Sequence, residues 1–334
     1  MNYQQPAVQQ PKWTPEQYAE RRALQNSGNA IGLALIIMQA IAFVVVFIIQ
    51  MAITIIYGQQ KLMEIVNDSM FKTMLQVYLS VLVMTIPFLI AAKMMRFKSG
   101  QLMSFKKVEK GLFVPLVLMA LGIGFLGNFA TSYLDQIMSA FGQPAQGIEM
   151  EMPKNVFGEI AFTMAIVVFA PLVEEFAFRG VVLGSLRRFG DGFAIFVSAA
   201  LFGLIHGNLV QIPFAFIGGL IMGYITVASG SIWPAIIVHF INNSASVLVS
   251  DFAGELGSAE YELLNNGLSL FFIFFGLIGA VLYLKRNPSG FRLLKSPTKL
   301  SGRGKLAAFV ATPGMIIAIV ILGLSVVMVQ IGLV

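Results

Sequence analysis

Apolar runs of about 18 or more residues recur along the whole chain, and each is long enough to cross a ~30 Å hydrocarbon core as a helix. They lie near 31–57, 73–95, 111–134, 157–186, 192–208, 212–229, 231–249, 267–284 and 307–332. In lipid every backbone N–H and C=O must be satisfied internally, which leaves helices or closed barrels. A barrel would show alternating segments of about ten residues, and none occur. Of the 334 residues 57% are hydrophobic and only 11% charged, whereas a soluble domain needs roughly 25% charged residues. The expected fold is therefore an all-α, polytopic transmembrane helical bundle of eight to nine spans.

Basic residues orient the bundle. With the amino terminus inside, all of the 22 Lys and Arg except Lys61, Lys72 and Lys154 fall on inner segments, a strong positive-inside bias. Four parts are expected: a polar cytoplasmic tail over 1–29, amino-terminal spans and an interfacial loop over 30–156, a core over 157–250, and carboxyl-terminal spans with a basic loop over 251–334. The run at 31–57 is too long for a signal h-region and reads as a retained span. A weakly polar stretch, 135–155, has room for an interfacial helix. The net charge of +6 does not indicate nucleic acid, because the cations sit between apolar spans and not on a soluble domain. With no cysteine, thiolate metal sites and cysteine nucleophiles are excluded.

Three places break the apolar background. The fourth span reads Pro171-Leu-Val-Glu174-Glu175-Phe-Ala-Phe-Arg179, the fifth Phe202-Gly-Leu-Ile-His206, and the seventh His239-Phe-Ile-Asn242-Asn243. The two histidines are the only ones in the protein. Ionisable groups at bilayer depth cost several kcal/mol each, face the bundle interior and mark sites. Glu175 and Arg179, at i and i+4, share a helix face and form an expected internal ion pair. Glu174 is rotated about 100° from Glu175, and His239 and Asn243 project to one side. Glu174 and His206 are equidistant from the turn at Gly190. His239 lies only about nine residues past the turn at Gly230, so the levels match if the first hairpin protrudes ~10 Å further.

A carboxylate in an apolar pocket is a usable general base. Water held between Glu174 and His206 could attack a carbonyl, with His239 and Asn243 donating to the oxyanion and Glu175 and Arg179 supporting the site. Metal binding competes for the same side chains: Glu174, His206 and His239 suit a divalent ion such as Zn²⁺ by ligand type. A proton-coupled transporter would also use intramembrane Glu and His, but predicts internal repeats, and none is evident.

Glu174-Glu175-x-x-x-Arg179, Phe202-x-x-x-His206 and His239-x-x-x-Asn243, in that order on membrane segments, resemble the three-motif signature of the CPBP family. These are the CaaX-protease and bacteriocin-processing (Abi) intramembrane proteases. The resemblance covers roughly 157–250. It implies an intramembrane endopeptidase in which Glu174 and His206 activate water, His239 and Asn243 stabilise the oxyanion, and Glu175 and Arg179 support them. It implies a membrane-associated protein or peptide as substrate and, from bacterial relatives, a bacterial plasma membrane as location. A non-enzymatic bacteriocin-immunity or scaffold protein on the same fold is the alternative.

Overall fold

The computed structural model describes residues 13–97, 104–147, 152–153, 155–253, 256–291, 293 and 298–333. Among these the chain is helical and contains no strand. α1, Pro15–Asn67, starts with a capping box in which the Thr14 hydroxyl accepts from the Gln17 N–H and the Gln17 side chain accepts from the Thr14 N–H. The helix is kinked at Gly58, where φ is 84°. Residues from Pro15 to 29, expected in a polar tail, are therefore helical, and Leu24, Ser27 and Gly28 are buried. The tail residues 1–12 lie outside the described residues, as do 148–151 and 154 of the expected interfacial stretch and 292 and 294–297 of the basic loop.

α2, Ser69–Tyr78, passes through a π turn, Leu79–Val83, into α3, Met84–Met94. α4 is Lys110–Ala140, and residues 141–147 beyond it are not helical. α5, Val156–Phe189, is composite and central. α6 is Asp191–Leu204, α7 Gln211–Ser229, α8 Trp233–Ala253 and α9 Ser258–Arg286. α10, Gly302–Val310, and α11, Pro313–Gln330, complete the chain.

Among the described residues six helices are long and apolar enough to cross a membrane: α1, α4, α5, α7, α9 and α11. Eight or nine spans are expected from the sequence, and four of those segments differ for separate reasons. The 73–95 run is built from α2, the π turn and α3, and of it Val81–Met94 is a shorter apolar helix. The 192–208 run stops as a helix at Leu204, so α6 is only about 21 Å long. The α8 segment has the length, but His239, Asn242 and Asn243 dilute its apolarity. The last run is divided by Ala311 and Thr312 into α10 and α11. Large apolar side chains such as Phe43, Phe47, Phe274 and Leu277 are more than half exposed, as a lipid-facing surface requires.

Small residues set the helix spacing. A Cβ on Gly122 of α4 would lie 2.6 Å from the Gly276 Cα of α9, so these two backbones touch and no other residue fits there. α1 crosses α11 in the same way, with Gly32 against the Gly314 backbone. α4 also packs on α7, and α7 on α6, while α5 meets α3, α6 and α8. The α5–α6 turn is tied down by polar contacts. Lys305 Nζ, itself buried, donates to the Phe189 carbonyl at 2.6 Å. Arg187 pairs with Asp191 at 2.8 Å, and Arg188 donates to Ser27 Oγ of α1 at 3.1 Å.

Candidate active site

The acidic pair sits between two widened turns of α5. Met164–Phe169 and Phe176–Leu183 are π-helical, and only Ala170–Glu175 between them is α-helical. A π turn adds one residue and shifts the hydrogen-bond register, so carbonyls there need partners from elsewhere. Neighbouring helices supply them: Asn243 Nδ2 of α8 donates to the Ile166 carbonyl at 2.8 Å, and Ser198 Oγ of α6 donates to the Phe178 carbonyl at 2.8 Å. α6 and α8 are thereby keyed to the helix that carries Glu174 and Glu175.

Glu175, fully buried, accepts on one oxygen from Arg179 Nη1 at 2.9 Å and from His239 Nδ1 at 2.8 Å. The expected Glu175–Arg179 pair thus forms, and it extends across to α8. Arg179 also reaches toward the Gly219 carbonyl, 3.5 Å from Nη2, and lies 4.4 Å over the Phe202 ring, a favourable cation–π contact. Glu174 is not turned away from this group. Its Oε2 is 3.6 Å from His239 Nε2, so adjacent carboxylates face the two nitrogens of one imidazole. That Oε2 is buried without a hydrogen-bond partner in the protein.

His206 does not lie within a span. α6 ends at Leu204, and Gly207, at φ 68°, turns the chain sharply, which leaves His206 on the loop joining α6 to α7. A loop at membrane depth needs its polar backbone covered, and the buried Asn208 does this. Its Nδ2 donates to the His206 carbonyl at 2.8 Å, and its Oδ1 accepts from the Gln211 N–H at 2.9 Å. Thr131 Oγ1 of α4 covers the Val210 carbonyl at 3.0 Å. Asn208 was not singled out in the motifs. Its signal in the sequence is a Gly-Asn pair directly after a histidine in an apolar run.

The His206 ring donates from Nδ1 to the Phe202 carbonyl at 2.8 Å, which fixes the tautomer and leaves Nε2 for the site. Both imidazoles stand edge-on to the Phe202 ring, at centroid distances of 5.0 Å for His206 and 5.7 Å for His239. Glu174, His239 and Arg179 all lie within electrostatic reach of His206. Both histidines, Asn242 and Asn243 line one cavity of about 60 Å³, whose other wall is apolar and includes Leu121, Phe214 and Met222. Glu174, Glu175, Arg179, His206, His239 and Asn243 are therefore gathered around one place.

The candidate metal set is not assembled as a set. Among the described residues no three His, Asp or Glu side chains are arranged to hold one ion. His239 Nδ1 is committed to Glu175 and His206 Nδ1 to a carbonyl. Those bonds leave Nε2 of each ring open, an arrangement that suits holding a water or a metal ion alike.

A buried acid–imidazole–guanidinium cluster on a polytopic helical scaffold defines an intramembrane enzyme-like site. Residues 156–245 match the family model described as Type II CAAX prenyl endopeptidase Rce1-like, and this stretch is a CPBP/CAAX intramembrane protease segment. Comparison with curated proteins and with solved structures gives no match. The chain is an integral membrane protein with several apolar helices, and its residues 156–245 are similar to CAAX-type intramembrane endopeptidases.

Proposed function

We propose that the protein is an intramembrane endopeptidase that cleaves membrane-associated proteins or peptides with water activated by Glu174. The observation that carries this is the buried, unpartnered Glu174 Oε2, 3.6 Å from His239 Nε2. A water beside this pair would donate one hydrogen to Glu174 and, with His239 charged, accept from its Nε2–H. The His206 Nε2 lone pair accepts the second hydrogen of that water and orients it. Glu174 takes a proton as the water oxygen bonds to the scissile carbonyl carbon. The oxyanion meets the second N–H of the Asn243 amide, whose first is used by Ile166. Nε2–H of His239 joins it when that ring is charged. Glu175 holds His239 in register from the far side. Collapse breaks the C–N bond, and Glu174 returns its proton to the leaving amine.

The sequence expectation paired Glu174 with His206 alone. The geometry supports a three-way arrangement in which His239 is the nearer imidazole. Positive-inside bias supports an amino terminus in the cytoplasm, and bacterial relatives of the resembling family suggest a bacterial plasma membrane. Lipid-modified carboxyl-terminal peptides of the CAAX kind belong in the first set of substrates, because that is the chemistry in the description of the matching family.

The test is cleavage of a randomised peptide library by purified protein in lipid nanodiscs, with and without chelator, read by mass spectrometry. Glu174→Gln is expected to lower the rate by at least ~10²-fold with thermal stability unchanged, since Oε2 has no partner to lose. Undiminished cleavage in that variant removes Glu174 from its role. A scaffold, immunity protein or transporter would show no cleavage in either form.

A further inference from the structure

The catalytic cavity does not end at Phe214. That ring also lines a second cavity of about 130 Å³, bordered by Phe125 and Asn128 of α4, Ser246 and Ser250 of α8, and Tyr261 and Asn265 of α9. The two cavities follow one another along the same helices. α4 contributes Leu121 and Gly124 to the first and Phe125 and Asn128 to the second. α8 contributes Asn242 and Asn243 and then Ser246 and Val249. α6 is too short to fill this half of the bundle, because it stops at Leu204 and its loop folds back into α7.

Polar side chains around an open volume are unusual in a membrane bundle, where they normally seek helix partners. Asn128 has one, donating to Ser269 Oγ at 2.9 Å. Ser246 donates to the Asn242 carbonyl of its own helix at 3.1 Å, and it and Ser250 are exposed on the cavity wall. Such a lining fits water and a hydrogen-bonding guest, not lipid chains.

We propose that the two cavities are one wet groove, narrowed at Phe214, in which one flank of an extended polypeptide substrate lies. This rests on the endopeptidase reading for its catalytic half. From Asn243 to Val249 is about 9 Å along α8 at 1.5 Å per residue, the length of about three residues of extended chain. The scissile carbonyl at His239 and Asn243 therefore places the residue about three positions away beside Val249 and Ser250. The preferred substrate is a polypeptide cut within about three residues of a polar, extended flank. The middle of an unbroken transmembrane helix is a poor substrate, since it can neither extend past Phe214 nor use the polar wall.

Two measurements test this. The chain has no cysteine, so Gly124→Cys supplies its only thiol, at a position where a Cβ meets nothing within 4 Å. In nanodiscs the thiol is exposed to a cationic, water-soluble methanethiosulfonate reagent. Its modification is expected to speed up about tenfold with Phe214→Ala and to slow about tenfold with Phe214→Trp. Equal rates in all three backgrounds would show that Phe214 separates nothing and overturn the groove. This arm needs no proteolysis, so it stands even if the endopeptidase reading falls. In the second arm, the best-cleaved library peptide is compared with versions cut to two residues on either side of the scissile bond. Ser250→Leu is expected to raise KM about tenfold for the full peptide, with kcat unchanged, and to leave the peptide trimmed on the grooved flank unaffected. The same KM shift for every peptide overturns the assignment of the flank.

Discussion

Breaking the ion cluster under the site should be costly in a way that two cooperating charges, and not two separate hydrogen bonds, explain. Glu175 and Arg179 are fully buried side chains 2.9 Å apart, and the same Glu175 oxygen holds His239. Neutral side-chain hydrogen bonds in membrane proteins average only about 0.6 kcal/mol. An uncompensated charge at the bilayer centre costs about 2.5–3.5 kcal/mol on the most lenient scale, and removing one partner of a buried pair costs about 3–5 kcal/mol. The charge term is the larger. Arg179→Met is therefore expected to destabilise the fold by about 3 kcal/mol, roughly a hundredfold in the unfolding equilibrium. Glu175→Gln strands the guanidinium and should cost a similar amount. The double variant leaves no stranded charge and should lose far less than the sum, a coupling of about 2 kcal/mol or more. Equilibrium unfolding in bicelles, following helix content against sodium dodecyl sulfate, gives all four stabilities. The double variant should regain stability without regaining cleavage, because His239 has lost its Glu175 anchor. Additive losses, with coupling under about 0.5 kcal/mol, would refute the cooperative-charge reasoning.

Gly122→Val is expected to push α4 from α9 and cost about 1–3 kcal/mol, read by the same unfolding assay; an unchanged midpoint would mean that the helices do not meet at Gly276. Asn208→Ala should uncover the His206 carbonyl and the Gln211 N–H, at about 1–3 kcal/mol for each buried group left unpaired. Peptide cleavage should fall together with stability, and full activity would separate Asn208 from the placement of His206. Ser198→Ala should leave the Phe178 carbonyl unpaired in the second π turn and weaken the fold by about 1 kcal/mol; hydrogen exchange across Phe176–Leu183 should rise, and unchanged protection would argue against that bond.

The membrane class, the helical fold and the cluster residues are legible in the sequence, because each depends on composition or on rare residue types. Lipid admits few backbone structures, so apolar runs of sufficient length already imply helices. Two histidines, a Glu-Glu-x-x-x-Arg run and a His-x-x-x-Asn run stand out because charge is so scarce around them. The span count is less legible, since hydropathy continues through 192–208 while the helix stops at Leu204 and Gly207 turns the chain. The π turns in α5 leave no clear local mark either, because carbonyls of that register are completed by Asn243 and Ser198 from other helices.

What the sequence by itself determined is which groups lie inside the bilayer, through hydrophobic length and the expense of burying charge. Only the tertiary structure decided how they meet: Glu174 and Glu175 on opposite nitrogens of His239, His206 on a loop held by Asn208, and two cavities that share Phe214 as a wall. The reason is that helical periodicity fixes a direction around one helix axis. Distances between groups on different helices depend on where glycines let backbones touch and where a helix ends.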